Sequence, residues 1–201
     1  MILWQTNFKL NDSDLEKVLS KVTTRYYSFE ESISSSFFEE DPNQRPEAIF
    51  YPEYNKVIQN ALEDLGLLHR IEFSIDYWIQ IYSNNSKHRT HDHWTAMTFL
   101  SWVHFVKPVR NDSFYFLDSN ANKVFPQQKE GDFIMFPSWA LHEARGVSNR
   151  AVVAGNILVD KMCTTATDDE DCEYTNTVLE EGRILSTEKY IRPYVDWSKF
   201  L

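Results

Sequence analysis

The sequence predicts a mainly β protein, a sandwich or barrel with helices packed against its outside. Three observations carry that expectation. Apolar stripes at helical spacing lie in the first third of the chain. After Gly66 the apolar period drops from 3.6 to 2. From there to about residue 160, strand-like runs follow one another, several of them separated by turn-like stretches such as VRND, SNAN and EGD. Helices first and strands afterwards are how a β core with outer helical support reads along a chain.

The elements follow in order. Ser13 and Glu16 have capping-box spacing, and Leu15, Val18, Leu19 and Val22 then recur at i, i+3, i+4, i+7. Residues 34–53 hold three prolines and read as an irregular connection. A second helix is expected from Tyr54 to Leu65, stopped by Gly66. The run IEFSIDYWIQIY then alternates strictly. Ile71, Phe73, Ile75, Tyr77, Ile79 and Ile81 form one face; Glu72, Ser74, Asp76, Trp78, Gln80 and Tyr82 form the other. An exposed face seldom ends in Trp, Gln and Tyr, so that end is expected to line a pocket. Further strands are expected at 96–106, 113–118, 132–136 and 150–159. The chain thus divides into helical support at 1–69, a β core at 70–160 and an extension at 161–201, acidic first and aromatic at its end, within one domain. The final aromatics are expected to dock on the sandwich or on a second subunit, which would make a homodimer.

Composition excludes several function classes. Aromatics at 15 % with only 5 glycines argue against disorder. A formal net charge of −10 gives no footprint for a polyanion, which disfavours nucleic acid as a partner. Cys163 and Cys172 are too few for a disulfide framework and fit a reducing compartment. The first residues do not read as a secretory signal, and no stretch approaches the roughly 20 apolar residues of a membrane helix. The expectation is a soluble, cytoplasmic protein without a membrane partner.

The chemistry concentrates in two segments. HRTHDHW, residues 88–94, holds three of the six histidines. His91 and His93 stand two apart at a strand edge, where alternate side chains share a side and both imidazoles reach one ion. Asp92 then points away, unless the chain is already turning and swings it in. His88 fits an exposed polar turn and stays outside the site. Downstream, Phe136-Pro137-Ser138-Trp139 leads to His142, and Arg150 opens the last long strand, sharing a face with Val152, Ala154 and Asn156. An arginine there either faces water or pairs with an anion. His104, alternating with Trp102 and Val106, reads as a packed strand histidine, and His69 as an ordinary cation at a helix end. Trp94 and Trp139 have two readings, walls of a substrate pocket or core, and large aromatics are more usually core.

His-x-His, a gap of roughly 50 residues, a third His and an Arg eight later together resemble the iron(II)- and 2-oxoglutarate-dependent dioxygenases. The likeness is closest to a bacterial and phage, prolyl-hydroxylase-like branch. It spans about residues 70–160 and rests on His91-Asp92-His93, Ser101 to Pro108, Gly131 and FPSW before His142. The resemblance implies a double-stranded β-helix, a jelly roll of the cupin kind, and Fe(II), 2-oxoglutarate and O2 as metal and cosubstrates. It implies hydroxylation of a small-molecule or peptide substrate with release of succinate and CO2. It also implies Arg150 on the far carboxylate of 2-oxoglutarate, and the location would be the host cytoplasm if the chain is phage-encoded. The family usually keeps a carboxylate where His93 stands. Period-2 geometry favours His93 over Asp92, giving His91, His93 and His142 as ligands, with Tyr82 and Gln80 toward the cosubstrate. Three neutral imidazoles also suit Zn, Cu and Ni. The rival readings are a three-histidine cupin-type dioxygenase without 2-oxoglutarate and a non-catalytic jelly-roll structural or binding module. Arg150 discriminates: inside the barrel in the enzyme, facing solvent in a structural module. Specificity is expected from residues 34–53, the 83–90 loop and the C-terminal extension.

Overall fold

A computed structural model describes residues 2–22, 24–28, 31–39, 44–68, 70–82, 86–95, 97–145, 147–162, 177–178 and 184–186. Strand β1 (Trp4–Asn7) precedes helix α1 (Asp12–Leu19). Asn11 caps α1, its side chain accepting from the Asp14 N–H at 3.1 Å, so the cap sits two residues before the expected Ser13. The stretch expected to be irregular is more ordered than that. After β2 (Thr24–Ser28) it contains the end of β3 (Glu31–Ser35) and two 3-10 turns, Ser36–Phe38 and Pro46–Phe50. Helix α2 (Tyr51–Asp64) begins three residues earlier than the spacing predicts, because Pro52 occupies its first turn, where a missing N–H costs nothing. Gly66 ends it at φ 71°, with Leu67 N–H reaching back to the Leu62 carbonyl at 2.7 Å.

The β core follows: β4 (Ile71–Tyr82), β5 (His88–His91), β6 (Thr98–Lys107), β7 (Phe114–Leu117), β8 (Lys123–Val124), β9 (Asp132–Pro137), β10 (His142–Ala144) and β11 (Arg150–Met162). Two short strands, β12 (Thr177–Val178) and β13 (Ile184–Ser186), complete it. A large antiparallel sheet runs β1-β9-β6-β11-β4-β13-β12, with β3 also on β4 and β2 on β3; a small one runs β5-β10-β7-β8. β4 therefore has two partners on one edge, β3 at Gln80–Tyr82 and β13 at Phe73–Ile75.

Both faces of the large sheet are covered, which is why its strands carry apolar residues on either side. On the outer face Leu15, Val18, Tyr54, Ile58 and Leu62 from the helices pack on Phe73, Ile75, Trp102, Phe133 and Val153. On the inner face Trp78, Tyr82, Val103, Phe105, Phe136 and Val152 meet Phe114, Phe116 and Ala144 of the small sheet. His104 belongs to the outer layer, as its alternation with Trp102 and Val106 predicts. It is fully buried, stacks on Phe8 at 4.2 Å, and bonds the Tyr54 hydroxyl and the Phe8 carbonyl, each at 3.0 Å. His69, Cys163, Cys172, the acidic run and the terminal aromatics lie outside the described residues. Among the described residues no helix is long and apolar enough to cross a membrane.

Candidate metal and anion site

Strand pairing brings the histidines together. In the β5–β10 register His91 stands directly opposite His142, so residues about 50 apart in sequence become cross-strand neighbours with rings 4.2 Å apart. His93 lies just beyond β5, and its N–H donates to the Ser138 carbonyl at 2.8 Å. Ser138 is itself fixed by its hydroxyl, which donates to the Thr98 carbonyl at 2.8 Å. The FPSW segment is thus a brace: Ser138 holds the backbone of His93, and two residues later the Ala140 carbonyl accepts from His142 Nδ1 at 2.8 Å. One ligand-capable atom from each of His91, His93 and His142 lies within 4.8 Å of the others, close enough for one ion to bridge all three.

The other ring atoms are already engaged. His91 Nδ1 donates to the Arg89 carbonyl at 2.7 Å, as His142 Nδ1 does to Ala140, leaving Nε2 of both rings for a metal. Burial lowers the basicity of each imidazole: His93 falls to about 4, His91 below its ordinary value and His142 well below it, with His91 and His93 adding repulsion at His142. In each case burial disfavours the protonated ring, and the neutral form is the one that a metal ligand requires. Asp92 is exposed and points away, its carboxylate accepting from the Trp94 N–H at 3.2 Å in a local turn. Of the two candidates, His93 is the side chain that joins the cluster.

The sequence reading of His88 requires correction. It is no ligand of the cluster, but neither is it an exposed turn residue: it lines the same pocket and stacks on His91 at 4.0 Å. The cause is a bulge. His91 faces His142 and His88 faces Ala144, so three steps on β5 oppose two on β10, which breaks the simple alternation. No residue type marks that irregularity in the sequence. Trp94 and Trp139 also depart from expectation, being 67 % and 53 % exposed on the two segments that hold His93.

Arg150 is where the pocket becomes unusual. It is fully buried, and the β11–β4 register sets it across from Tyr82, whose ring lies 4.4 Å below its guanidinium. Nη1 donates to the carbonyls of Ser113 at 2.9 Å and Arg145 at 3.2 Å; Nε and Nη2 have no partner among the described residues. Burial disfavours its charge, yet among the described residues the pocket that it lines with Gln80, Tyr82 and the four histidines contains no carboxylate. A buried cation with two orphan donors is costly unless an anion arrives. Tyr82 donates its own hydroxyl to Gln80 at 2.9 Å, so what it presents to Arg150 is its ring.

No protein-family model and no curated protein matches the chain. Solved structures do. A prolyl hydroxylase from Trichoplax adhaerens, in complex with a hypoxia inducible factor oxygen degradation domain peptide fragment, aligns with TM-score 0.57 and 14 % identity over 77 % of this chain and 82 % of that one. For a Pseudomonas putida prolyl-4-hydroxylase the values are 0.54, 15 %, 77 % and 91 %. For a non-heme alpha ketoglutarate dependent epimerase from nogalamycin biosynthesis they are 0.53, 13 %, 76 % and 76 %. The fold is theirs, a double-stranded β-helix. In this double-stranded β-helix the small sheet carries His91 and His142, the large sheet carries Arg150 and Tyr82, and the pocket lies between them.

Proposed function

We propose that the protein is an iron(II)- and 2-oxoglutarate-dependent oxygenase acting as a hydroxylase. The observation that carries this reading is Arg150, buried with two donors unpaired among the described residues in the same pocket as three clustered imidazoles. A dicarboxylate satisfies both ends at once. His91, His93 and His142 would hold the metal, and Arg150 would take the remote carboxylate through Nε and Nη2, the edge suited to a two-pronged pair. Tyr82 holds that guanidinium flat, and Gln80 anchors the Tyr82 hydroxyl. With O2 as the oxidant, bound iron and 2-oxoglutarate would supply the chemistry of hydroxylation, one oxygen atom going to the substrate and the other to succinate as CO2 leaves. The chain's own contribution is orientation and dryness: Trp78, Val103, Phe114, Phe136 and Val152 wall the pocket with apolar surface.

The substrate class is a small molecule or a peptide. The aligned Trichoplax enzyme holds a peptide fragment, and a related epimerase structure holds nogalamycin RO. Residues 34–53 reach the pocket wall, since half-exposed Phe37 packs edge-on to Trp78 at 5.0 Å. With a surface of net charge −10, nucleic acid is disfavoured. The location we propose is cytoplasmic.

A three-histidine dioxygenase without 2-oxoglutarate would leave Arg150 without its anion, and a structural module has no use for a buried unpaired guanidinium. Calorimetric titration of 2-oxoglutarate into the Ni(II)-loaded protein tests the proposal. Arg150→Ala is expected to weaken binding at least about 100-fold, the effect of breaking a buried ion pair, with Ni(II) affinity retained. Unchanged 2-oxoglutarate affinity would overturn it.

A further inference from the structure

Besides Arg150, the pocket has a second source of unpaired N–H, one that a metal and a dicarboxylate would leave unused. Trp78 is 4 % exposed and lines the pocket, and its Nε1–H has no acceptor among the described residues. Alternation along β4 puts Trp78 on the same face as Gln80 and Tyr82. Tyr82 stands across from Arg150 in the β11 register and Trp78 across from Ala154, so the indole branches from the sheet about 13 Å along the strand from the arginine. Its ring runs nearly parallel to that of His93, at 13° and 6.0 Å between centroids, and half-exposed Phe37 meets it edge-on at 5.0 Å. Trp78 therefore flanks the metal cluster, away from the arginine end of the pocket. Trp102 also carries an unpaired indole N–H, but its ring belongs to the outer layer, stacked on Phe133 at 5.1 Å and lying against Gly155.

We propose that Trp78 sets specificity for the molecule to be oxidised, its indole N–H donating to a neutral acceptor oxygen of the amide-carbonyl kind. The proposal rests on the function given above. An indole N–H only donates, so its partner is an acceptor. Apart from Arg150 and the imidazoles, the pocket lining is uncharged, made of Gln80, Ser101 and apolar side chains. With Arg150 taken by the cosubstrate, a carboxylate or an ammonium group would be desolvated there without a counter-ion, whereas an amide oxygen needs only the one bond. A buried donor left unpaired is costly, and a substrate oxygen relieves that cost on binding. A competitor lacking the oxygen leaves the donor unpaired and is rejected for that reason.

Nitrogen-15 NMR of the full chain loaded with Zn(II) and 2-oxoglutarate tests this without activity, since each of the 6 tryptophans gives its own indole N–H signal. Trp78→Phe removes one signal and so identifies it. Should that variant not fold, ring contacts with Phe37 identify the signal in the wild type. The probe is N-methylacetamide, a minimal peptide-like amide, with acetate and tetramethylammonium as charged counterparts. The amide is expected to move the Trp78 proton downfield and saturably, with smaller shifts at the other indoles. Trp78→Phe, which keeps the aromatic bulk, should weaken amide binding about 2–10-fold, read from the ligand's own signals, and leave 2-oxoglutarate affinity within about twofold of wild type. A Trp78 proton that responds to acetate and not to the amide, or to no probe at all, would overturn the proposal and leave the proposed function standing. So would a downfield shift that is complete when 2-oxoglutarate binds, before any probe is added. Wild-type protein that binds no 2-oxoglutarate would overturn both.

Discussion

At the scale of single residues, His93 and Arg150 are the two on which the proposed chemistry turns. Substitution of Asp92 by Ala should leave metal affinity within about twofold, because its carboxylate serves a turn and points away from the cluster. His93→Ala should lower that affinity by at least about tenfold. Parallel metal titrations of the two variants decide between the neighbours, and a reversed order would refute the ligand set. Arg150 makes a second, less intuitive prediction. Its ligand-free state pairs one nitrogen with carbonyls and leaves two nitrogens orphaned. Replacement by an apolar side chain of similar length should therefore stabilise the ligand-free fold by about 1–4 kcal/mol, even as it destroys anion binding. Urea unfolding of Arg150→Met measures this, and a strongly destabilised variant would mean that the guanidinium is structural. His91, His142 and Arg150 were legible as candidates because residue type and spacing encode them. The place of His88 was not, since nothing in HRTHDHW marks the bulge that turns it into the pocket.

At the scale of elements, β4 is the clearest success of sequence periodicity. Its twelve residues and both of its faces follow from strict alternation, down to Trp78, Gln80 and Tyr82 turning toward the pocket. The elements that escaped notice are β1, β2, β3, β5, β8, β10 and the short strands beyond β11, and there the reason is length, five residues or fewer in each. β10 has three residues, and its pairing with β5 and β7 arises from the sheets around it, not from local preference. β11 carries an internal test. A Cβ on Gly155 would sit 2.5 Å from the Trp102 ring and 2.8 Å from the Asp76 carbonyl, so only glycine lets β11 pass there. Gly155→Ala should cost about 1–3 kcal/mol by overpacking, read as a lowered melting temperature; a neutral effect would contradict the packing of Trp102 against β11.

At the scale of the whole molecule, the large sheet separates two layers with different duties. The outer layer with α1 and α2 is structural, and His104 reports on it. Burial holds this ring at about 4 against an ordinary 6.5, so the unfolded chain binds the proton more readily. Stability credited to His104 is therefore full above pH 6.5 and falls as pH drops toward 4, by about 3 kcal/mol over that window. The gap in urea midpoint between wild type and His104→Gln should accordingly narrow between pH 7 and pH 4, and a constant gap would disprove the assignment. The inner layer lines the candidate site, and ligands bound there should feed back on the fold. A metal with 2-oxoglutarate at 100 times its dissociation constant adds about 2.7 kcal/mol, or roughly 5–10 °C in melting temperature. The fold class was readable from the order of helices and strands. Where the three imidazoles and the arginine converge was not, because convergence depends on register and on one bulge. The most direct measurement is anaerobic addition of Fe(II) and then 2-oxoglutarate to the wild-type protein, followed in the visible region. The account predicts a weak charge-transfer band that appears only when both are present and is lost in Arg150→Ala at the same ligand concentration. Iron bound without any such band would contradict it.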